Sequence, residues 1–320
     1  MNLHIRRHDG VRSTRSLSRI ALLILALAAA LTFAVAGANA APVPSVVYNA
    51  IPSPLPPNMA SLGFQATQTS EFGDYVHLAG TDRNLKTVTV TMSDWALYSD
   101  YATDPRYAAN SSTWTHPITL NLYNAIPAAT PGGTNMKGTL IATVTQTITI
   151  PWRPAADPTC PGGTAWRASN NQCYNGLAFN ATWDFSSLGI VLPNNVIVGV
   201  AFSTQTYGTP PMGVPGPYNS LNVGVEGTAT VGTDDNTDRV FWNTLTPSNY
   251  TDNGTGGVGT FREDTNWTPY GTIPIQITAA ANTVGPPTSK DQCKNGGWQS
   301  FNNPSFKNQG DCIQYFNTGK

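Results

Sequence analysis

Three oxygen-bearing side chains at alternate positions form the most specific local pattern in this sequence. The segment TDDNTDRVFW contains Asp234, Asn236 and Asp238 as D-x-N-x-D, and such side chains converge on a hard cation when the chain turns tightly. The pattern departs from an EF-hand, because the sixth position is not glycine and Leu245 stands where the bidentate glutamate would be. A calcium site is therefore one interpretation, and a solvated turn is the other.

Carboxylates that could act as a general acid and a general base are scattered along the chain. Hydrolysis of sugars needs two such groups facing each other across a cleft, and the sequence selects no pair. Glu226 is the strongest single candidate, because it ends the alternating segment SLNVGVE. His77 and His116 lie in or beside strand-like segments, which favours structural roles, and no G-x-S-x-G element accompanies them. The other acidic candidates are Glu71, Asp74, Asp94, Asp184, Glu263 and Asp264.

Aromatic side chains in loops are the candidates for ligand contact, because exposed rings can stack on the faces of sugars. The chain has eight tryptophans, and those inside strand-like segments are predicted to belong to the core. Trp166 and Trp267 lie in loops, and Tyr207 and Tyr218 flank the stiff proline-rich loop YGTPPMGVPGPYN. These four side chains are the predicted ligand-binding residues.

Four cysteines, an even number, predict two disulfides and an oxidising compartment. Proximity favours the pairs Cys160–Cys173 and Cys293–Cys312, although four cysteines allow three pairings. A zinc site is disfavoured, because the spacings match no zinc pattern. The segment CPGGTAWRASNNQC is interpreted as a stapled insertion, or alternatively as a stiffened loop that displays its tryptophan and arginine.

The regular structure of the chain is predicted to consist of strands. LKTVTVTM, ITLNLY and TLIATVTQTITI alternate apolar and polar residues, and VIVGVAF, SLNVGVE, RVFWN and TIPIQIT add shorter candidates. Many such strands without helices predict an all-β domain, an antiparallel two-sheet sandwich of jelly-roll type. This domain is expected over residues 41–283.

The first forty residues have the pattern of a cleaved secretory signal peptide, residues 1–40. Five arginines precede the apolar run IALLILALAAALTFAVA, and Ala38-Asn39-Ala40 forms a small-x-small cleavage site. An uncleaved membrane anchor is the alternative, because the apolar run is almost long enough to span a bilayer. The mature chain is predicted to be secreted, without a membrane span and with association to the cell surface as a further expectation.

Charge excludes one class of partner. Removal of the leader takes five basic residues and one acidic residue, which leaves 12 basic against 17 acidic side chains, a net charge near −5. Nucleic acids and anionic membranes attract basic surfaces, so neither is expected as a partner. Charged residues are 11% of the chain, against about 25% in typical soluble domains, and uncharged polar residues replace them.

The C-terminal region differs from the rest of the chain. A Pro-rich linker at residues 284–289 precedes a small basic unit at residues 290–320. A unit of this size cannot bury a sufficient core alone, so its order requires a Cys293–Cys312 disulfide. Its aromatic residues are expected to form a mini-core or a contact face for the cell envelope, and they are Trp298, Phe301, Phe306 and Tyr315.

Two parts of the chain resemble known groups of proteins. The run SLGFQATQTSEFGDYVHLAGTDRNLKTVTVTMSDWALYS, with WTHPITLNLYN and GTLIATVTQTITIPWRP after it, resembles uncharacterised exported bacterial proteins. These are similar to β-sandwich domains that carry interchangeable surface-attachment signals at their C-termini. The terminal CKNGGWQSF…FKNQGDC resembles a short tail of otherwise unrelated exported bacterial proteins. The resemblance implies a sandwich, export and a bacterial source, and it brings no assigned activity.

Together these observations predict an exported noncatalytic β-sandwich module that binds glycan or cell envelope. One alternative is a structural surface or matrix protein without a small ligand. Another is a polysaccharide-active hydrolase or lyase, for which no acid–base pair is identified. Calcium is the one cofactor for which the sequence offers candidate ligands.

Overall fold

The computed structural model of the protein describes residues 43–130, 133–208, 210–282 and 285–320. The predicted leader, residues 1–40, lies outside these ranges, as does the first residue of the predicted linker 284–289. No helix within the described ranges is long and apolar enough to cross a membrane.

Antiparallel strands make up most of the regular structure. The strands are β1 (Ser45–Asn49), β2 (Ser61–Gly63), β3 (Thr69–His77), β4 (Asn84–Asp94), β5 (Thr113–Ile126), β6 (Met136–Pro151), β7 (Trp166–Arg167), β8 (Cys173–Tyr174), β9 (Leu177–Asp184), β10 (Asn195–Ala201), β11 (Leu221–Gly224), β12 (Val240–Thr244), β13 (Arg262–Asp264) and β14 (Ile275–Ala280). The helices are α1 (Tyr98–Tyr101) and α2 (Gln309–Thr318), with 3-10 turns at Pro161–Gly163, Pro217–Ser220, Pro247–Asn249, Lys290–Cys293 and Gly297–Ser300. The three longest predicted strands fall within β4, β5 and β6, and each extends beyond the prediction at both ends.

Two six-stranded sheets face each other across one core. In the first sheet, β4 pairs with β9 along one edge, and with β14 and then β11 along the other; β1 and β2 lie outside β14 and β11. The second sheet has the order β13-β12-β3-β10-β5-β6. The pairings are antiparallel, which confirms the predicted sandwich of jelly-roll type.

The core lies where the alternation places it. Val88, Val90 and Met92 of β4 are fully buried, whereas Thr87 and Thr89 keep partial contact with solvent; Thr91 is buried as well, and its hydroxyl donates to Asn180 Oδ1. A strand with a two-residue period directs alternate side chains to opposite faces, so the apolar set of β4 faces the second sheet. The opposing apolar side chains of β5 in the same core cluster are Ile118, Leu120 and Leu122.

The outer face of the second sheet is partly covered, a feature that simple alternation does not predict. Gly73 of β3 lies opposite Gly199 of β10. A Cβ atom at Gly73 would collide with the ring of Phe261, and one at Gly199 with the carboxyl group of Glu71. The two glycines therefore leave room for these groups. A second apolar cluster forms on this face from Tyr75, Tyr123, Ile197, Phe241 and Phe261.

The C-terminal tail has an apolar cluster of its own. A disulfide joins Cys293 to Cys312. Both cysteines are fully buried, and they pack with Phe301. Helix α2 begins after Asn308, whose side chain accepts a hydrogen bond from the backbone N–H of Asp311 at 2.9 Å and so caps the helix. The predicted disulfide-stapled tail is confirmed. Trp298, Phe306 and Ile313 complete the cluster.

Candidate functional site

A groove of about 630 Å³ opens where five parts of the chain meet. Four of these parts are the segment that leads into β2, the end of β4, the insertion closed by the first disulfide, and the loop after β13, and the segment after β11 adds a fifth. Four aromatic side chains line it, namely Trp95, Tyr174, Trp267 and Tyr270. Trp95 and Tyr270 are 40% and 45% exposed, so a ligand can reach their rings. The volume lies within the range of small-ligand sites.

The Trp95 ring is held by its edge. Its indole Nε1–H donates to Ser93 Oγ at 3.1 Å, and that hydroxyl donates to Asn58 Oδ1 at 2.7 Å. Gly176 passes directly behind the indole, where a Cβ atom would collide with the side chains of Trp95 and Ser93. Asn58 itself lines the groove, so this chain of hydrogen bonds joins the edge of the indole to a polar side chain of the lining.

Trp267 is held in a similar way on the other side. Its Nε1–H donates to Asp264 Oδ2 at 3.0 Å, and its ring packs edge-on against Trp242 with centroids 4.9 Å apart. The buried Asp264 accepts two further hydrogen bonds, from the backbone N–H and the hydroxyl of Thr251. The ring is therefore fixed by groups that lie behind it.

The insertion supplies one wall of the groove. The disulfide Cys160–Cys173 closes it, as proximity predicted, and β7 pairs with β8 inside it. The expected exposure of Trp166 is wrong: the residue is 7% exposed, and its Nε1–H donates to the carbonyl of Gly176 at 2.8 Å. Its indole fills the base of the insertion, with its centroid 5.8 Å from that of Tyr174, the ring that lines the groove.

Arg153 connects this wall to the end of β4. Its Nε–H donates to the carbonyl of Trp95 at 3.0 Å, and its Nη1–H donates to the carbonyl of Thr164 in the insertion at 3.1 Å. The same guanidinium attracts the carboxyl group of Asp94. The Arg153 guanidinium therefore links the backbone at Trp95 to the backbone of the insertion.

Asp94 is fully buried behind Trp95. Its Oδ1 accepts from the backbone N–H of Ala96, and its Oδ2 accepts from Trp114 Nε1–H, both at 3.0 Å. Burial raises the pKa of Asp94 from 3.8 to about 7, although these hydrogen bonds and Arg153 oppose the rise. The carboxyl group therefore titrates near neutral pH.

Glu226 lines the same groove. The backbone of Glu226 forms a parallel bridge with Thr272, and the preceding Val225 is buried, so its main chain is fixed. The side chain is exposed and forms no hydrogen bond or ion pair with any described residue. It is the sole acidic residue among those that line the groove, all of which lie in described ranges. Glu226 and Trp267 are thus the two predicted site residues that the structure brings together.

The two tyrosines of the proline-rich loop lie elsewhere. Tyr218 is fully buried and stacks on His116 with centroids 4.7 Å apart, while its hydroxyl donates to the carbonyl of Val214. The structure therefore places Tyr218 in the core rather than on a ligand-binding surface. Tyr207 is half-buried, and its carbonyl accepts from the N–H of Thr204 at 2.7 Å, outside the aromatic groove.

The D-x-N-x-D segment forms a turn whose carboxylates face separate partners. Asp234 accepts from the hydroxyl of Thr272 and from the backbone N–H of Asn236. Asp238 lies 3.5 Å from Arg239 in an ion pair. The described residues contain no group of three or more His, Cys, Asp or Glu side chains that could hold a metal ion. The geometry is that of an Asx turn, which Asp and Asn favour.

The remaining acidic candidates do not form an acid–base pair in the groove. Glu71 lines a separate cavity of about 530 Å³, where its Oε1 accepts from Tyr123 and Asn121 at 2.9 Å. Asp74 is buried and accepts from two backbone N–H groups, and Glu263 is paired with Arg239 at 3.0 Å. Each of these carboxyl groups has structural partners.

The histidines also have structural partners, as expected. His116 lines the cavity of Glu71, and its Nε2 lies 3.1 Å from the carbonyl of Ser203. Burial lowers the pKa of His116 to about 4, so the imidazole is neutral at physiological pH. His77 contacts the side chain of Asn195 across the β3–β10 pair.

Comparison of the chain with protein-family models, with curated proteins and with solved structures finds no match. Function is therefore inferred from the side chains of the groove. The sequence did not single out Trp95, Tyr174 or Tyr270. Two of these residues have a feature by which the sequence could have identified them. Trp95 directly follows the strand β4, and Tyr174 directly follows a disulfide cysteine.

Proposed function

We propose that the groove binds a carbohydrate chain and that the protein is an exported, noncatalytic glycan-binding module. The observation that carries this proposal is the set of aromatic rings that share one groove. Three of these rings are held by a hydrogen bond at the ring edge. The indole N–H groups of Trp95 and Trp267 each donate one, and the hydroxyl of Tyr174 accepts one from Asn170 at 2.9 Å. Rings fixed in this way lose little conformational entropy when a sugar face stacks on them.

The polar lining supports the same ligand class. Sugars carry hydroxyl groups around an apolar ring, and they need donors and acceptors beside each aromatic platform. Asn58 and Asn175 provide side-chain amides, and Ser61 provides a hydroxyl. Absence of catalysis is proposed because glycoside hydrolysis uses two carboxylates, and Glu226 is the one acidic side chain of the groove.

Export and surface association are parts of the same proposal. The two disulfides indicate an oxidising compartment, and the leader pattern in residues 1–40 supports secretion. A tail with its own core and its own cross-link is suited to attachment of the groove-bearing sandwich to the cell envelope.

The proposal is tested by binding of the full chain to insoluble glycans, to isolated cell walls and to soluble oligosaccharides by calorimetry. Trp267→Ala should weaken binding about tenfold or more, because centrally placed tryptophans dominate binding energy. Tyr270→Ala, which alters an exposed ring, should weaken binding with little effect on folding. Trp298→Ala, in the tail, is the matched tryptophan control and should bind soluble oligosaccharides as the wild type does.

Retention on no glycan contradicts the proposal, and so does unchanged affinity in both groove variants. Release of reducing sugar that is lost in Glu226→Gln would instead support a hydrolase.

One observation favours the alternative of a structural surface protein. Strand β6 spans 16 residues at the edge of the second sheet, pairs with β5 among the described strands and carries one charge, Lys137. Long uncharged edges favour pairing between molecules. Concentration-dependent association without ligand, reduced by Thr147→Lys, would support this alternative.

A further inference from the structure

We propose that Glu226 makes the groove selective for glycans that carry free, protonated amino groups. This inference rests on the proposed glycan-binding function and specifies the ligand class of the same groove. It begins from a contrast between Glu226 and the other acidic side chains near the rings. Asp94 and Asp264 are buried behind the rings and hydrogen-bonded to them or their neighbours.

Glu226 has no such structural role for its side chain. Its carboxylate is exposed in the groove and free of hydrogen bonds and ion pairs with the described residues. Its main chain, by contrast, is fixed by the bridge to Thr272. The backbone that carries this charge is therefore fixed, and the charge has no partner among the described residues, the arrangement expected of a group that meets its partner on a ligand.

The sign of the electrostatic field favours a cation at this place. No lysine, arginine or histidine is among the residues that line the groove, which the structure describes in full. Residues 43–320 carry 12 basic and 17 acidic side chains, so the surrounding field is negative as well. A uronate or a sulfated sugar would be repelled, whereas an ammonium group would form a charge-assisted hydrogen bond.

The aromatic rings add to the preference. Trp267 and Tyr270 line the groove together with Glu226, and the face of an aromatic ring attracts a cation. An amino sugar that stacks on one of these rings can present its apolar face to the ring and its ammonium group to the carboxylate. A neutral sugar gains the first contact alone.

The test compares two oligosaccharides with the same backbone, one with free amino groups and one in which acetylation removes their charge; the dependence on salt separates the effect of charge from that of the acetyl groups. The full chain is titrated at low salt with a β-1,4-linked glucosamine hexasaccharide and with its N-acetylated form. We expect the amine to bind about two- to fivefold more tightly, the range for one exposed ion pair, and the preference to shrink as salt is added. Glu226→Gln should remove the salt-dependent preference for the amine without weakening the N-acetylated form, whereas Trp267→Ala should weaken both.

The control variant is Asp235→Asn, which neutralises an exposed carboxylate outside the groove and should keep the preference. Equal binding of the two forms by the wild type, with both weakened by Trp267→Ala, would overturn selection by charge and leave the glycan proposal standing. A salt-dependent preference for the amine that survives in Glu226→Gln would also overturn the inference. Binding of neither form at any salt concentration would overturn this inference, whereas the proposed function is overturned by retention on no glycan of the wider set.

Discussion

The segment closed by Cys160–Cys173 and the segment closed by Cys293–Cys312 carry the same cross-link in different surroundings. Their cysteines are separated by 13 and 19 positions. The insertion is held to the sandwich by hydrogen bonds. Trp166 donates to the carbonyl of Gly176, and Arg153 donates to the carbonyl of Thr164. The tail instead packs around its own disulfide, in a cluster separate from the core of the sandwich.

The difference shows two roles for a disulfide. One restrains a wall of the groove that other contacts already orient, and the other forms the centre of the tail's own apolar cluster. In the insertion, the contacts with the sandwich already orient the hairpin, so the cross-link limits its motion. In the tail, few apolar side chains are fully buried besides the cysteines and Phe301. A unit of about 30 residues cannot stabilise itself by apolar burial alone, so its order depends on the cross-link.

The largest expected effect is therefore loss of the tail structure. Cys293→Ser with Cys312→Ser removes a loop closure that stabilises by about 3 kcal/mol in the chain-entropy model, and it leaves two polar groups where buried sulfurs were. We expect residues 290–320 to lose protection from hydrogen exchange, while the melting temperature of the sandwich stays within about 2 °C. A tail that keeps its protection in this variant would contradict the comparison.

The second prediction concerns the pH dependence of the sandwich, through Asp94 behind Trp95. The pKa of this carboxyl group is about 7 in the folded protein and 3.8 ordinarily. Between these values the folded state holds a proton that the unfolded chain releases, so the free energy of unfolding falls as pH rises. For Asp94 alone the fall between pH 5 and pH 7 is about 2 kcal/mol.

Denaturant unfolding of the wild type and of Asp94→Asn at several pH values isolates this contribution. The variant loses an acceptor for Trp114 or Ala96 and is less stable by about 1–3 kcal/mol at neutral pH, and its deficit should be larger at pH 5. Asp184→Asn is the control, because the pKa of this exposed aspartate is lowered by hydrogen bonds from Ser186. If the free energy of unfolding depended on pH in the same way for the wild type and for Asp94→Asn, this linkage would be excluded.

The tail should not share this behaviour. Lys294 lies 2.7 Å from Asp291 and lowers the pKa of that exposed carboxylate. A lowered pKa means that any stabilisation is present above the ordinary value and is lost as pH falls through the folded value. Hydrogen exchange of the tail, corrected for intrinsic rates, should therefore show no loss of protection between pH 5 and pH 7.

The sequence could predict the sandwich because its evidence is local. Alternation in LKTVTVTM and ITLNLY depends on neighbouring residues and on the direction of the strand, and β4 and β5 follow it. The pairing of cysteines close in sequence was also correct. Such features require no knowledge of which strands lie side by side.

The groove could not be predicted in the same way, because its walls come from distant parts of the chain. Trp95, Tyr174 and Trp267 meet only after the sheets pair. Their positions in loops suggested that Trp166 is exposed and that Tyr218 contacts a ligand. Both are buried instead, because a large ring gains from burial when its polar atom donates to a carbonyl group. Exposure in a loop therefore depends on contacts that a linear pattern does not contain.

The smallest expected effect is on the insertion, and it tests whether this wall serves the groove. Cys160→Ser with Cys173→Ser leaves the bonds from Trp166 and Arg153 in place, so the hairpin should stay folded but move more. Ordering it on binding should cost about 1 kcal/mol, which corresponds to roughly a fivefold loss of affinity for the glycan that the wild type binds. Calorimetric titration measures this loss, and the tail variant Cys293→Ser with Cys312→Ser is the matched control.

The tail variant should bind as the wild type does, because no tail residue lines the groove. If both double variants lost affinity equally, the tail would belong to the binding unit, and the two disulfides would have the same role. If neither lost affinity, Tyr174 would be held in place by Trp166 and Asn170 alone, and the cross-link would contribute to stability rather than to recognition. A loss confined to the insertion variant is the result that separates a disulfide that shapes a wall from one that builds a core.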